Sequence, residues 1–108
     1  MRRVIIESPY AGDIEANVAY ARLCVSDSLS RGEAPFASHL FYTQPTILRD
    51  AVPNEREKGI FAGLAWGEVA DATIVYTDRG ISKGMQYGIV DAKRVGRVVE
   101  YRSLELPK

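Results

Sequence analysis

Hydrophobic positions along this chain switch between the strand period and the helix period, and the switching orders its elements. Val4-Ile5-Ile6 is a β-branched run with no polar interruption, the pattern of a strand covered on both faces. It ends in the turn-rich stretch Ser8-Pro9-Tyr10-Ala11-Gly12-Asp13. Asp13 is placed to cap a helix running to about Ser30 and closed by Gly32. Ile14, Val18, Ala21, Val25 and Leu29 recur within it at helical spacing, which predicts one buried stripe. Ala34-Pro35-Phe36-Ala37 reads as a second strand, and Pro35, with no N–H to donate, assigns it to a sheet edge. The stretch from His39 to Asn54, punctuated by Pro45 and Pro53, allows one helical turn from Thr46 to Asp50. Asn54 then caps a helix reaching about Ala70, with Glu55 and Glu57 in its first turn. Ala72 to Thr77 (ATIVYT) has the β-branched and aromatic content of a central strand. Ser82 caps a last helix to Val95, stopped by Gly96, and Arg97 to Tyr101 forms the final strand.

The order β-α-β-loop-α-β-α-β with short connections predicts a small doubly wound α/β domain. It has about four parallel strands, right-handed crossovers and helices on both faces. No linker or low-complexity tract divides it, so residues 1–108 are read as one domain. Two glycine ladders stand out: Gly59, Gly63 and Gly67, then Gly80, Gly84 and Gly88. Glycine costs about 1 kcal/mol against alanine inside a helix, so these positions call for close approach of something. Tight helix-on-sheet packing satisfies that, and so does a contact between subunits with Trp66 as anchor. The second reading, with the small size, leads us to expect a homo-oligomer.

Composition narrows the function. The 108 residues carry 14 basic and 14 acidic side chains, a formal net charge of zero. Binding of nucleic acid or of a membrane surface rests on a cationic surplus, which is missing, so neither partner is expected. One Cys and one His cannot make a zinc set, and no metal or cofactor is expected. Cys24 between Leu23 and Val25 reads as a buried thiol. Only Val4-Ile5-Ile6 follows Met1-Arg2-Arg3 before Glu7, which is read as no signal peptide, and cytoplasmic localisation is expected.

Ligands of open parallel sheets bind beyond the carboxyl ends of the strands. That rule selects Glu7, Ser8, Pro9, Tyr10 and Gly12 after the first strand, with Asp13 beside them, and Ser38 and His39 after the second. After the third it selects Asp78, Arg79 and the helix start Ser82, Lys83, Gly84, Met85 and Gln86. Free N–H groups at helix starts suit phosphate or carboxylate, the Tyr10 ring suits a base, and Asp78 suits ribose hydroxyls or base amines. Plainer roles compete at several positions. Asp13 serves as a helix cap, Asp78 as a turn residue, His39 as a loop hydrogen-bonding group, and Asn54 to Lys58 as a solvated face from which Arg56 can turn inward to a phosphate. No P-loop, GxGxxG fingerprint or GxSxG elbow occurs.

Ile5-Ile6-Glu7-Ser8-Pro9-Tyr10-Ala11-Gly12-Asp13 resembles the opening of the nucleoside 2-deoxyribosyltransferase-like proteins, in particular a small branch common in bacteriophage genomes. The resemblance continues through Pro35 to Leu40 and Asp78 to Met85, covering about residues 4 to 101. It implies a parallel α/β fold that binds nucleosides or nucleotides, often with sites shared between subunits. In the enzymes of this family a glutamate after the glycine-methionine pair attacks the anomeric carbon. Carried onto this chain, that position is Gln86, and many phage-type relatives place a glutamate where this chain has Gly88. Neither supplies a carboxylate. The resemblance thus implies a nucleotide-binding protein without that nucleophile, holding a nucleotide signal in the host cytoplasm if phage-encoded. The alternative is a deoxyribosyltransferase or N-glycosidic hydrolase in which Glu7 or Asp78 supplies the carboxylate and His39 acts as general acid.

Overall fold

The structure is a computed structural model describing residues 1–105. Its elements are β1 (Arg3–Glu7), α1 (Ile14–Ser30), β2 (Ala34–Phe36), α2 (Ser38–Phe41), α3 (Pro53–Gly67), β3 (Ala72–Tyr76), α4 (Lys83–Arg94) and β4 (Val98–Arg102). The four strands form one all-parallel sheet in the order β2-β1-β3-β4, with Val4 opposite Ala72 and Ala72 opposite Val98. The chain leaves β1 toward β2, then crosses back over β1 to β3 and continues to β4. Right-handed crossovers therefore put α1 on one face and α3 and α4 on the other. The α/β doubly wound architecture is as expected, and β2, with Pro35, is an edge strand. No helix among the described residues is long and apolar enough to cross a membrane.

Strand side chains alternate between two unlike environments. Val4, Ile6, Ala72, Ile74 and Tyr76 face α1 and pack with Tyr20 and Cys24 into the main core. Val75 faces the other way and packs with Met85 and Ile89 of α4. Cys24 is fully buried, and burial pushes its thiol up to about 12, so it is an inert packing group.

Three expectations are corrected. The buried face of α1 consists of Asn17, Tyr20, Ala21, Cys24 and Ser28, whereas Ile14 and Leu29 are 46% and 58% exposed. The predicted stripe was out by about one position because Asn17, Tyr20 and Ser28 are buried with polar partners that a count of apolar residues overlooks. The short helix before α3 lies at Ser38–Phe41, not at Thr46 to Asp50, where Thr46 takes a positive φ of 72°. And α3 is entered through Val52, with Pro53 in the first helical turn, where its missing N–H costs nothing; Asn54 is not the cap. Instead Glu55 folds back onto Arg49, accepting from its backbone N–H at 3.0 Å and from its guanidinium at 2.6 Å.

The predicted caps at Asp13 and Ser82 are present. Asp13 Oδ1 accepts from Ala16 N–H at 3.2 Å, and Ser82 Oγ accepts from Met85 N–H at 3.3 Å. The glycine ladders are filled from within the chain. A Cβ at Gly63 would lie 2.6 Å from Ser38 Oγ, one at Gly67 3.2 Å from an Arg97 nitrogen, and one at Gly88 would overlap the Glu7 carboxylate. Gly80 is not helical but takes φ +79° in the turn ahead of Ser82. Their spacing therefore carries no argument for a subunit contact. Trp66, 54% exposed, packs on Phe36 with ring centroids 5.8 Å apart and donates its Nε1–H to Tyr42.

Candidate functional site

A cavity of about 210 Å³ opens on the face of the sheet that carries α3 and α4. Its floor is β1, whose alternation sends Ile5 and Glu7 into it while Val4 and Ile6 go to the core. Ser8, Tyr10 and Ala11 continue that wall, Ser38 and His39 close one side from α2, and Ser82 to Met85 close another from the start of α4. Gly63, Gly67 and Gly88 line it too, and the space beside them is taken by Ser38, Arg97 and Glu7, which they admit to the cavity wall. The cavity lies partly over the sheet rather than wholly beyond the strand ends.

The loop after β1 is held by Asn17, whose side-chain amide donates to the carbonyls of Tyr10 and Ala11 at 3.0 and 3.1 Å. That places the Tyr10 ring at the cavity wall without strain on α1, which begins only three residues after Ala11. His39 is held by Ser8, with Oγ and Nε2 2.6 Å apart. Burial pulls the imidazole down to about 4, so it is neutral at ordinary pH. Glu7 is perturbed in the opposite sense: burial pushes its carboxyl up to about 8, and Arg97 opposes the shift without cancelling it. Arg97 cannot come closer because its guanidinium is already committed to Thr73 at 3.0 Å, the Gly67 carbonyl at 2.7 Å and Asp91 at 3.2 Å.

The residues singled out from sequence divide into two groups. Glu7, Ser8, Tyr10, His39, Ser82, Gly84 and Met85 come together around the cavity. Gly12, Asp13, Asp78 and Gln86 are not among its lining residues. Asp13 is occupied as a cap, and Gln86 is exposed on α4. Asp78 lies toward α1: it accepts from Tyr20 Oη–H at 2.7 Å, Ser103 Oγ–H at 2.7 Å and Leu104 N–H at 2.9 Å, tying the end of the described chain to the core. These contacts join it to α1 and to the segment after β4. His39 sits on a one-turn helix rather than in a loop. Arg56 reaches the cavity, paired loosely with Asp50 at 3.8 Å. Arg97 was not anticipated, since it stands at the start of β4 and the strand-end rule looks only at the other end. The one sequence signal for it was Gly67, whose missing side chain makes way for it.

Among the described residues no cluster of His, Cys, Asp or Glu is arranged to hold a metal ion. The site is a small, glycine-bounded cavity on a parallel α/β sheet, with one perturbed carboxyl group, one neutral imidazole and a basic rim. By sequence, residues 2–102 match the family described as a domain of unknown function, DUF7768, and the chain belongs to that family. No curated protein matches the chain by sequence. By fold it is similar to two solved 2-deoxyribosyltransferases. One, from Leishmania mexicana, shares 17% identity at a TM-score of 0.61, over 97% of this chain and 66% of its own. The other, from the psychrotolerant bacterium Bacillus psychrosaccharolyticus, shares 17% identity at 0.64, over 98% of this chain and 77% of its own. The chain thus spans about two-thirds to three-quarters of these structures, and the likeness is one of fold.

Proposed function

We propose that the cavity is a binding site for a nucleoside or nucleotide, in a protein that has no carboxylate at positions 86 and 88 of α4 for covalent glycosyl transfer. The observation that carries this reading is the convergence on one cavity of an aromatic wall, a polar pair and a helix start. Tyr10 supplies a face for the base, Ser8 and His39 supply hydrogen-bonding groups for the sugar, and the free N–H groups at Lys83 and Gly84 with the Lys83 ammonium suit a phosphate. The similarity of fold to proteins named as deoxyribosyltransferases supports the same ligand class. Gln86 is an exposed amide and Gly88 has no side chain, so in this reading neither position forms a glycosyl ester. A site of this kind can retain its ligand and act as a sink for a nucleotide signal.

Isothermal titration with deoxynucleosides, ribonucleosides, their 5′-monophosphates and cyclic dinucleotides tests the reading. Saturable binding of at least one probe is expected, weakened in Tyr10→Ala, with the preference for a phosphorylated probe reduced in Lys83→Ala. No heat from any probe at millimolar concentration would overturn it.

A further inference from the structure

Glu7 has no hydrogen-bond or ion-pair partner among the described residues, and its half-buried carboxyl lines the wall of the cavity. A carboxyl drawn partly out of water with no cation or donor on it favours its protonated form or serves a ligand. Its location is also specific. The alternation of β1 turns it toward α4, and position 88 on α4 is the glycine whose Cβ would overlap the carboxyl group. Strand and helix are thus complementary: α4 gives up a side chain and β1 delivers a carboxyl group into the vacated space.

We propose that Glu7 is the proton donor of this pocket: its carboxyl group, seated against Gly88, protonates the base of a bound nucleoside or nucleotide as the bond from base to sugar breaks. The proposal rests on the nucleoside-site reading above and adds a reaction, N-glycosidic hydrolysis, to it. The bond from C1′ to the base nitrogen breaks, its electron pair stays with that nitrogen, and the nitrogen takes the Glu7 proton. A water oxygen forms the new bond to C1′, and the proton it loses passes to the pair formed by His39 and Ser8. Solvent then returns one proton to Glu7 and removes one from His39. The products are free base and free sugar or sugar phosphate, and no covalent intermediate is needed, consistent with Gln86 and Gly88. This reverses the roles expected from sequence, where His39 was the acid.

The electrostatics agree with the assignment. The titratable and charged groups facing the cavity are Arg97 near its base, Lys83 and Tyr87 on α4, His39 on α2, Arg56 with Asp50, and Tyr10. Burial moves the Glu7 and His39 proton affinities apart, to about 8 and about 4, so between those values the first is an acid and the second a base.

The test incubates the wild-type protein with the deoxynucleosides, ribonucleosides and 5′-monophosphates of the titration panel and follows free base by chromatography. Release is expected from at least one probe that binds, with a rate falling tenfold per pH unit above about 8. Glu7→Gln should lower the rate 10²–10⁴-fold, bind the same probe within a few-fold, and retain its far-ultraviolet circular dichroism. Gly88→Ala, which pushes a methyl group into the carboxyl, should also lower the rate while leaving the protein folded. Binding by the wild type without base release overturns this proposal and leaves the binding site standing. So does release that survives Glu7→Gln. Absence of binding by every probe overturns both readings together.

Discussion

The two faces of the sheet solve opposite problems. On the α1 face large side chains fill the space and the carboxyl groups of Asp27 and Glu33 are matched. Tyr20, Ile74 and Tyr76 are fully buried, Tyr76 Oη–H donates to Asp27 at 2.8 Å, and Glu33 is gripped by Arg102 at 2.9 Å, Arg2 at 2.7 Å and Ser28 at 2.8 Å. Those contacts, led by the bonds from Arg102, hold the Glu33 carboxyl down to about 2. On the α3 and α4 face three glycines admit Ser38, Arg97 and Glu7 to the wall of a cavity, and Glu7 is left at about 8 with no hydrogen-bond or ion-pair partner among the described residues. Glu33 is buried and Glu7 half-buried, yet it is the more buried group that keeps the lower proton affinity, by several decades. The difference shows that burial alone does not decide a carboxyl group's state; the cations and donors within reach do. A face whose ionisable groups are all satisfied holds the fold together, and a face that leaves one unsatisfied has room for chemistry.

The strongest way to break this contrast is to remove a matched charge from the α1 face. Glu33→Ala leaves Arg102, only 10% exposed at its side chain, with Glu100 at 3.6 Å as its remaining carboxylate, and should cost about 2–4 kcal/mol in urea unfolding. A loss under 1 kcal/mol would show that the network is ornamental. Removing the Tyr20 hydroxyl is milder. Tyr20→Phe deprives Asp78 of a donor at 2.7 Å and should cost about 1–3 kcal/mol, read from the same unfolding curves.

The cavity face should reveal itself through pH. Glu7 binds its proton more tightly folded than unfolded, so its contribution to stability is complete at low pH and is lost as pH rises through about 8. His39 binds its proton less tightly when folded, so its contribution rises with pH between about 4 and 6.5. The two slopes oppose each other up to about pH 6.5, and above that only the decline from Glu7 remains. Unfolding free energy should fall by about 1–2 kcal/mol from pH 6.5 to 8.5, allowing for solvent in the cavity, and Glu7→Gln should flatten that decline. An unchanged slope in the variant would place the titration elsewhere. The smallest effect belongs to the misread stripe: Leu29→Ala, at a 58% exposed position, should shift stability by no more than about 0.5 kcal/mol in thermal unfolding.

Much of the fold was legible in sequence because it depends on local signals. The β-branched runs at Val4 to Ile6 and Ala72 to Tyr76 mark the two central strands, Asp13 and Ser82 are short polar caps, and Gly32 and Gly96 take the positive φ that ends a helix. What misled the reading of α1 was the buried polar contacts of Asn17, Tyr20 and Ser28, whose partners Tyr10, Asp78 and Glu33 lie in other elements. The site was half legible. The strand-end rule located Ser8, Tyr10, His39 and Ser82, but also selected Asp78, which a hydroxyl on α1 draws to the opposite face.

The amino-acid sequence by itself determined the alternation of strand and helix, and with it a parallel doubly wound sheet, because period, caps and breakers act over a few residues. It also set the alternation that sends Glu7 away from Val4 and Ile6. Only the tertiary structure decided what Glu7 meets: Gly88, 81 positions along the chain, leaves the space, and Arg97 stands close enough to be felt but too committed to pair. Proton affinity is a property of surroundings, and surroundings are assembled by the fold.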